Sequence, residues 1–597
     1  MEGKVRIIVF VKIVPKLSTL PMSKNFTVDR EEVTSSINPN DYFALEAALK
    51  LKEKNGGEVI ALCLGNMGCR IVLREVYALG VDRVILISDQ IFRGSDTYAT
   101  SKILSAAVKK IGNVDVILAG KKSSDGSTSQ VPNEVAEMLG WRCGDNVMSC
   151  DIRQNRLFYT ERFEELDVEK NEELPLVISV SPEINIPRYP TINGLLAARK
   201  KEVEIWNNSD LQIEENVCGL RGSKTRVIGI EKVDYALRRE SKIYTSKDQI
   251  IESFRAIKDN NHGGRGVSTK EIIKSRIEIG KNIIVFCEVC DGFITEESLY
   301  SVKKATLVAI QSNACVITVC TELEEANKQL SKLSEYGACK NYQLNIKNIY
   351  TSDKEDICEA ICQICERVKP ELIIFPGTQF GMNIAPYFAA MNGAGLTAEC
   401  IDIEYKDGEY VQKRPAFGGR LNARIVVQNS KYRIATIKPF IEQISLKCIG
   451  DFDNELIATG RVRSNGSVIT KKEKLDITQS VVIGCGNGIK KQELVELVKK
   501  ICNEKGYGFS ATREIVDKGW ATTNSQVGLT GQVIAPKMYI AIGVSGAYEH
   551  VVGVEQSEVI VSVNVNLSEP MNKISDVVYQ IDSEEFINNI LTKEEMV

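Results

Sequence analysis

Thr512-Arg-Glu-Ile-Val-Asp-Lys-Gly-Trp520, then Gln526-Val-Gly-Leu-Thr-Gly531, then Pro536-Lys-Met-Tyr-Ile-Ala-Ile-Gly543-Val-Ser-Gly546-Ala-Tyr-Glu-His550 form the stretch that decides how this 597-residue chain is read. An apolar run ending in Gly-x-Ser-Gly is what a strand needs before a sharp turn into a helix. Glycine lets backbone N–H groups close on an anion, and the helix dipole favours the charge. A bound nucleotide diphosphate is the first expectation. Just upstream, Ser480-Val-Val-Ile483 runs into Gly484-Cys-Gly-Asn-Gly488 and a helical pattern at about 490–504, which opens the same α/β unit.

Working outward, Ile- and Val-rich strands alternate with longer helical patterns, which predicts α/β architecture with largely parallel sheets. Strands are expected at 6–11, 58–63, 83–87 and 114–119, with helices at 41–54, 68–79, 97–111 and 129–139. A second series has strands at 282–287, 314–319 and 371–375 and helices at 297–310, 355–368 and 382–391. The two series share Ile-Ile-Val-Phe at 7–10 and 283–286, and Ala-x-Met-x-Gly at 136–140 and 389–393. Two related domains meeting as a pseudo-dimer follow. The expected division is 1–200, an extended arm and flexible tether at 201–280, 281–465, and a nucleotide-binding unit at 466–597. The polar stretch 459–478 reads as a weakly restrained hinge before that last unit.

Composition narrows the class. With 75 basic against 79 acidic residues there is no nucleic-acid footprint. No apolar run reaches membrane-spanning length. The strand Ile7-Ile-Val-Phe10 follows the start so closely that no signal peptide is expected, and 17 scattered cysteines fit a reducing cytoplasm better than a disulfide framework. Cys358, Cys362 and Cys365 have a spacing that can hold an iron–sulfur cluster, but Ile357, Ile361, Ile364 and Val368 continue one apolar helical face, so a core helix is expected. Cys287-x-x-Cys290 reads as an incidental pair with no partner at zinc spacing.

Taken together, the chain resembles an electron transfer flavoprotein with its β and α subunits joined, β-like half first. The β-like motifs are Val11-Lys-Ile-Val-Pro15, Asn38-Pro-Asn-Asp41, Gly94-Ser-Asp-Thr97, Asp125-Gly-Ser-Thr-Ser-Gln130, Pro187-Arg-Tyr-Pro-Thr-Ile-Asn-Gly194 and Ala197-Ala-Arg-Lys-Lys201. Gly222-Ser-Lys-Thr225 resembles the start of the β arm. The α-like motifs are Gly381-Met-Asn-Ile-Ala-Pro386, Gly395-Leu-Thr-Ala398, Arg414-Pro-Ala-Phe-Gly-Gly419 and the opening stretch.

The resemblance implies FAD bound by the last domain, which is flavodoxin-like. Thr512 replaces the usual serine and keeps its hydroxyl, and Arg513 lies against the flavin, where it stabilises negative charge gained on reduction. Gln526, Val527, Gly528, Leu529 and Thr530 match the loop at the N5/O4 edge, and His550 is a donor towards the O2 side. Ser545, Gly546, Ala547, Tyr548 and Glu549 match the ribityl-phosphate turn; Asn564 and Asp582 match contacts to the adenosine half. Departures are Asn487 for an arginine, Leu529 for a glutamine, Gln532 for a lysine, Glu549 for a glutamine and Asn566 for an aspartate. Loss of two cations and a donor is expected to weaken stabilisation of reduced flavin.

In the β-like half the resemblance implies a second nucleotide, either structural AMP or a bifurcating FAD. Its expected contacts are Phe10, Asn38, Pro39, Asn40, Asp41 and Leu64, then the loop Ser124, Asp125, Gly126, Ser127, Thr128, Ser129, Gln130 and Val131. Val14-Pro15 and Asp125-Gly126 match the bifurcating pattern, whereas Phe10, Ser127 and Pro132-Asn133 depart from it. Expected partners are a flavin dehydrogenase of the acyl-CoA dehydrogenase kind, docked through Leu195, and, with a second FAD, NADH and ferredoxin or flavodoxin. A non-redox adenine-nucleotide module of the universal-stress or adenylyl-transfer kind is the alternative class, and would purify colourless.

Overall fold

The computed structural model describes residues 4–15, 35–164, 166–232, 241–259, 270–273, 280–416, 421–438, 446–449, 452–457, 462–464, 466–471, 479–522, 525–528, 531–555 and 557–592. Helices of both series start at side-chain caps. Asp96 accepts from Ala99 N at the head of Thr97–Ile111, Thr295 from Ser298 N at Glu296–Ser312, and Thr378 from Gly381 N at Gln379–Met391. The apolar strands between them fall within a few residues of the expected ranges.

In the first sheet the parallel strands stand in the order Arg83–Ile87, Gly57–Leu64, Val5–Phe10, Val116–Gly120, Leu176–Val180. The second repeats this order with Ala338–Leu344, Ala314–Cys320, Lys281–Phe286, Leu372–Pro376 and Arg433–Ile437. Numbered along the chain, both read 3-2-1-4-5, so the two halves are the same doubly wound unit. They pack through equivalent helices, Val131–Leu139 of the first against Gln379–Met391 of the second, as a pseudo-twofold interface requires. Lys354 Nζ reinforces the seam, 2.5 Å from Asp145 Oδ2 and 3.0 Å from Asn133 Oδ1.

The third sheet has the order Gly508–Ala511, Val481–Cys485, Met538–Ile542, Val559–Val563, Val577–Tyr579 and then Lys242–Tyr244, all parallel. Its last strand corrects the reading of 201–280 as arm plus tether. Lys242–Tyr244 pairs with Val577–Tyr579, and the helix Lys247–Asp259 buries Ile250 and Phe254 in the core of this domain, Phe254 meeting Phe586 edge-on at 5.7 Å. Two apolar residues one helical turn apart suffice, although the segment around them is charged. Upstream, Thr225–Lys232 pairs antiparallel with Leu421–Val427.

The hinge at 459–478 needs the same correction. Gly466–Lys471 pairs antiparallel with Leu166–Glu173 of the β-like half, and Arg463 binds Asp356 through Nη2 at 2.7 Å and Glu355 at 3.1 Å. Residues 459–461, 465 and 472–478 of that stretch lie outside the described residues. Cys358 and Cys365 sit in the buried face of the helix Lys354–Val368, the core role expected of them, while Cys362 contacts Asn392. No helix among the described residues is long and apolar enough to cross a membrane.

Candidate functional site

In the C-terminal domain the strand numbering reads 2-1-3-4-5, and the order reverses between Val481–Cys485 and Met538–Ile542. A crevice at the carboxyl ends of such neighbours is where open α/β sheets bind ligands. Both turns leaving those strands are glycine-built and pressed together. A Cβ at Gly486 would meet Gly543 O at 2.4 Å, and Gly546, at φ +80°, would meet Met571 N at 2.2 Å. Thr512 leaves the next strand as N-cap of the short helix Arg513–Asp517. Its Oγ1 is buried and has no hydrogen-bond partner among the described residues, a cost normally avoided. A polar ligand group fits that vacancy in bonding. Arg513 beside it is exposed, 3.4 Å from Asp517 Oδ2.

Val527 N donates to Ala511 O and Gln532 N to Gln526 O, so the 526–532 loop lies along the edge of the sheet next to Thr512. Leu529 and Thr530 lie outside the described residues. Gly528, at φ +138°, has no room for a Cβ, which would meet Glu549 O at 2.3 Å. This brings the loop against the Tyr548–Val551 helix carrying His550. Asn564 Nδ2 donates to Val544 O at 3.1 Å and braces the Ser545–Gly546 turn. Asp582 accepts from Glu584 N and Glu585 N as a helix cap, so its carboxylate is already engaged.

His550 differs from its expected role. Its Nε2 is 2.9 Å from the Tyr539 hydroxyl and its Nδ1 is 3.2 Å from Val527 O. Burial pulls the imidazole down to about 4, so it is neutral near pH 7. Nδ1–H therefore donates to Val527 O and Nε2 accepts from Tyr539, which leaves no ring proton for a ligand. The cation counted as lost at Asn487 is also replaced: Lys518 Nζ lies 2.7 Å from Asn487 Oδ1, and Lys490 Nζ lies 2.9 Å from Asn487 O.

The second cleft lies at the 1/4 switch of the first half, between the ends of Val5–Phe10 and Val116–Gly120. Asp41 is its brace. Burial pushes its carboxyl up to about 7, while Lys12 N and Asn38 Nδ2 each donate to it at 2.7 Å. Asn38 and Asn40 also donate to Lys122 O, and Asn38 Oδ1 accepts from Ser124 N. These side chains thus shape the cleft. Asp125 pairs with Lys12 at 2.8 Å, and Ser127 and Ser129 hold φ near +50°, strain that concentrates at functional loops.

The α-like half completes this cleft. Arg414 Nη2 donates to Gly126 O at 2.5 Å, and Gln130 Nε2 to Leu396 O at 3.5 Å. Arg414 Nε and Thr397 Oγ1 are buried without partners among the described residues. Against the effect of its burial, Lys122, Lys438, Arg414 and Lys121 hold the Glu399 carboxyl below the usual carboxylate range. Burial pulls Lys121 itself down to about 8. The sequence reading missed Tyr539, Lys518, Thr397, Glu399 and the role of Arg414. Thr397 and Arg414 stood in quoted motifs without a role at this cleft, and Lys121-Lys122 directly follows a strand end.

Residues 25–211 and 283–444 match the electron transfer flavoprotein domain, and 476–555 match the electron transfer flavoprotein FAD-binding domain. The chain belongs to the electron transfer flavoprotein family. The N-terminal half of this electron transfer flavoprotein is similar to the electron transfer flavoprotein subunit beta of Thermoanaerobacterium thermosaccharolyticum, 37% identical over 37% of the chain and 86% of that subunit. It is equally similar, at 37% identity over 37% of the chain and 86% of the relative, to the caffeyl-CoA reductase-Etf complex subunit CarD of Acetobacterium woodii. The C-terminal half is similar to the protein FixB of Clostridium saccharobutylicum, 28% identical over 50% of the chain and 91% of the relative. Both subunit types are therefore present in one chain, β-like before α-like, and the FAD-binding domain coincides with the glycine-built crevice. As an electron transfer flavoprotein it carries electrons through FAD.

Proposed function

We propose that the chain exchanges electrons with a flavoenzyme of the acyl-CoA dehydrogenase kind through FAD held at the 481–485/538–542 switch point. The observation that carries this is the buried, unpartnered Thr512 hydroxyl beside turns that only glycine can build. FAD supplies the one- and two-electron chemistry. Thr512, Arg513, Gln526 and the 527–530 backbone would hold its ring, Ser545, Gly546, Ala547, Tyr548 and Glu549 its phosphates, and Asn564 and Asp582 its adenosine half. His550 holds Val527 in place behind the ring. Lys490 and Lys518 supply the positive field at the glycine turn that Asn487 lacks. Acid release and quantification of flavin tests this: one FAD or more per chain is expected, and a colourless protein overturns it in favour of a non-redox nucleotide module.

In the cleft of the β-like half the reading is a second FAD. Its support is the pair of unpartnered donors Arg414 Nε and Thr397 Oγ1, contributed by the other half across the seam, and the surrounding lysines. AMP has fewer groups to reach them. With a second FAD the chain would take hydride from NADH and divide the electrons between ferredoxin or flavodoxin and a higher-potential acceptor. Two FAD and no AMP per chain support bifurcation; one FAD and one AMP make it a non-bifurcating carrier.

Partner docking falls on the helix Ile192–Ala198 and the loop before it. Ile186, Tyr189 and Ile192 are 88%, 91% and 78% exposed, and Leu195 and Leu196 stand beside them. Contiguous exposed apolar groups of this kind mark interaction sites.

A further inference from the structure

Cys63 lies in the strand Gly57–Leu64 and Cys69 opens the helix Cys69–Ala78, separated by the turn Gly65–Gly68. An ideal Cβ built at Gly65 would sit 2.7 Å from Cys69 Sγ and 3.8 Å from Cys63 Sγ, so both sulfurs border one small gap. Each thiol influences the other's ionisation. Cys63 is buried, whereas Cys69 is partly exposed and its Sγ lies 3.8 Å from Asn66 Oδ1. The neighbouring Cys63 thiol pulls the Cys69 thiol down to about 7 against its partial burial, and backbone amides around Asn66 and Cys69 assist. Burial pushes Cys143, Cys400 and Cys485 the other way. Reactive thiols are distinguished by such a combination of lowered pKa and access.

We propose that Cys69 and Cys63 form a reversible thiol–disulfide site, with Cys69 the attacking thiolate and Cys63 the resolving thiol, taking a low-molecular-weight disulfide as its oxidant. In the first step Cys69 Sγ⁻ attacks one sulfur of the oxidant RSSR. The S–S bond breaks, a Cys69–SR bond forms, and RS⁻ leaves and takes up a proton. In the second, Cys63 Sγ attacks Cys69 Sγ and displaces the remaining RS⁻, which accepts the Cys63 proton. Two protein thiols are oxidised to one disulfide and one RSSR is reduced to two RSH. Asn66, Met67 and Gly68 are exposed, so the turn can yield as sulfur approaches sulfur. The turn follows Leu64, an expected contact of the second nucleotide, but the site requires nothing of either flavin.

The test uses the full chain and oxidised glutathione under native conditions, read by intact mass and peptide mapping. The expected product is a Cys63–Cys69 disulfide, reversed by dithiothreitol, and alkylation of Cys69 at pH 7 about tenfold faster than that of free glutathione. Cys63→Ala is expected to stop at a glutathione adduct on Cys69, and Cys69→Ser to form neither product. Wild-type mapping that finds no Cys63–Cys69 bond under oxidising conditions overturns the proposal, whatever the variants do. Alkylation of Cys69 no faster than glutathione also overturns it.

Discussion

Tyr539 and His550 are joined hydroxyl to imidazole, 2.9 Å apart, in the fully buried floor of the flavin domain. A Cβ at Gly484 would meet the Tyr539 hydroxyl at 1.8 Å, so this glycine of the central strand Val481–Cys485 makes room for the pair. The imidazole in turn ties down the Val527 carbonyl, and the binding loop therefore depends on a neutral histidine.

That neutrality gives a pH prediction. The imidazole is pulled from 6.5 to about 4 by burial, so between these values the unfolded chain takes up a proton that the folded one does not. Stability of this domain is expected to fall as pH drops from about 6.5 to about 4, by up to ~3 kcal/mol, with no further loss from this group below. Urea unfolding followed by Trp520 fluorescence checks this. His550→Gln should lower stability near neutral pH and flatten the slope; an unchanged slope would assign it to other groups.

Thr512→Val removes a hydroxyl that makes no bond among the described residues. Flavin affinity should drop about five- to tenfold, as expected for one hydrogen bond. Thermal stability of the flavin-free protein should stay level or rise. Loss of stability without loss of affinity would mean that the hydroxyl serves the fold.

Arg414→Gln should weaken retention of the nucleotide in the β-like half by about tenfold or more, since a charged donor leaves the loop at Gly126. The C-terminal flavin content should not change. Equilibrium dialysis followed by nucleotide quantification separates the two sites.

Leu195→Glu places a carboxylate in the exposed apolar patch. Electron transfer to the partner dehydrogenase should fall at least tenfold while the visible spectrum is retained. Transfer at the wild-type rate would remove this helix from the docking surface.

The parts of the molecule written by local periodicity were legible in the sequence. Strands such as Ile7–Phe10 and Ile283–Phe286, and the glycine turns that follow the third-domain strands, are short-range signals. The hairpins Arg142–Arg153, Arg156–Arg162 and Leu166–Glu173 were not expected, because buried charges interrupt their alternation: Glu161 and Lys170 are both buried and pair at 2.7 Å. Long-range assembly was also hidden. Arg414 meets Gly126 across 288 positions, and no pattern near either residue announces the other. His550 was noticed because it is one of two histidines, but its role depended on Tyr539, which reads as one more apolar strand residue.

The strand Lys242–Tyr244 and the helix Lys247–Asp259 also set an order of events at the ribosome. Their partners Val577–Tyr579 and Phe586 come near the end of the chain. At ~5–20 residues per second, translation from residue 260 to Phe586 takes on the order of fifteen to sixty-five seconds. Ile250 and Phe254 must wait that long as unsheltered apolar side chains. The flavin domain is thus begun early, set aside while another domain is made, and closed last, which gives a chaperone a defined interval and a defined surface to protect.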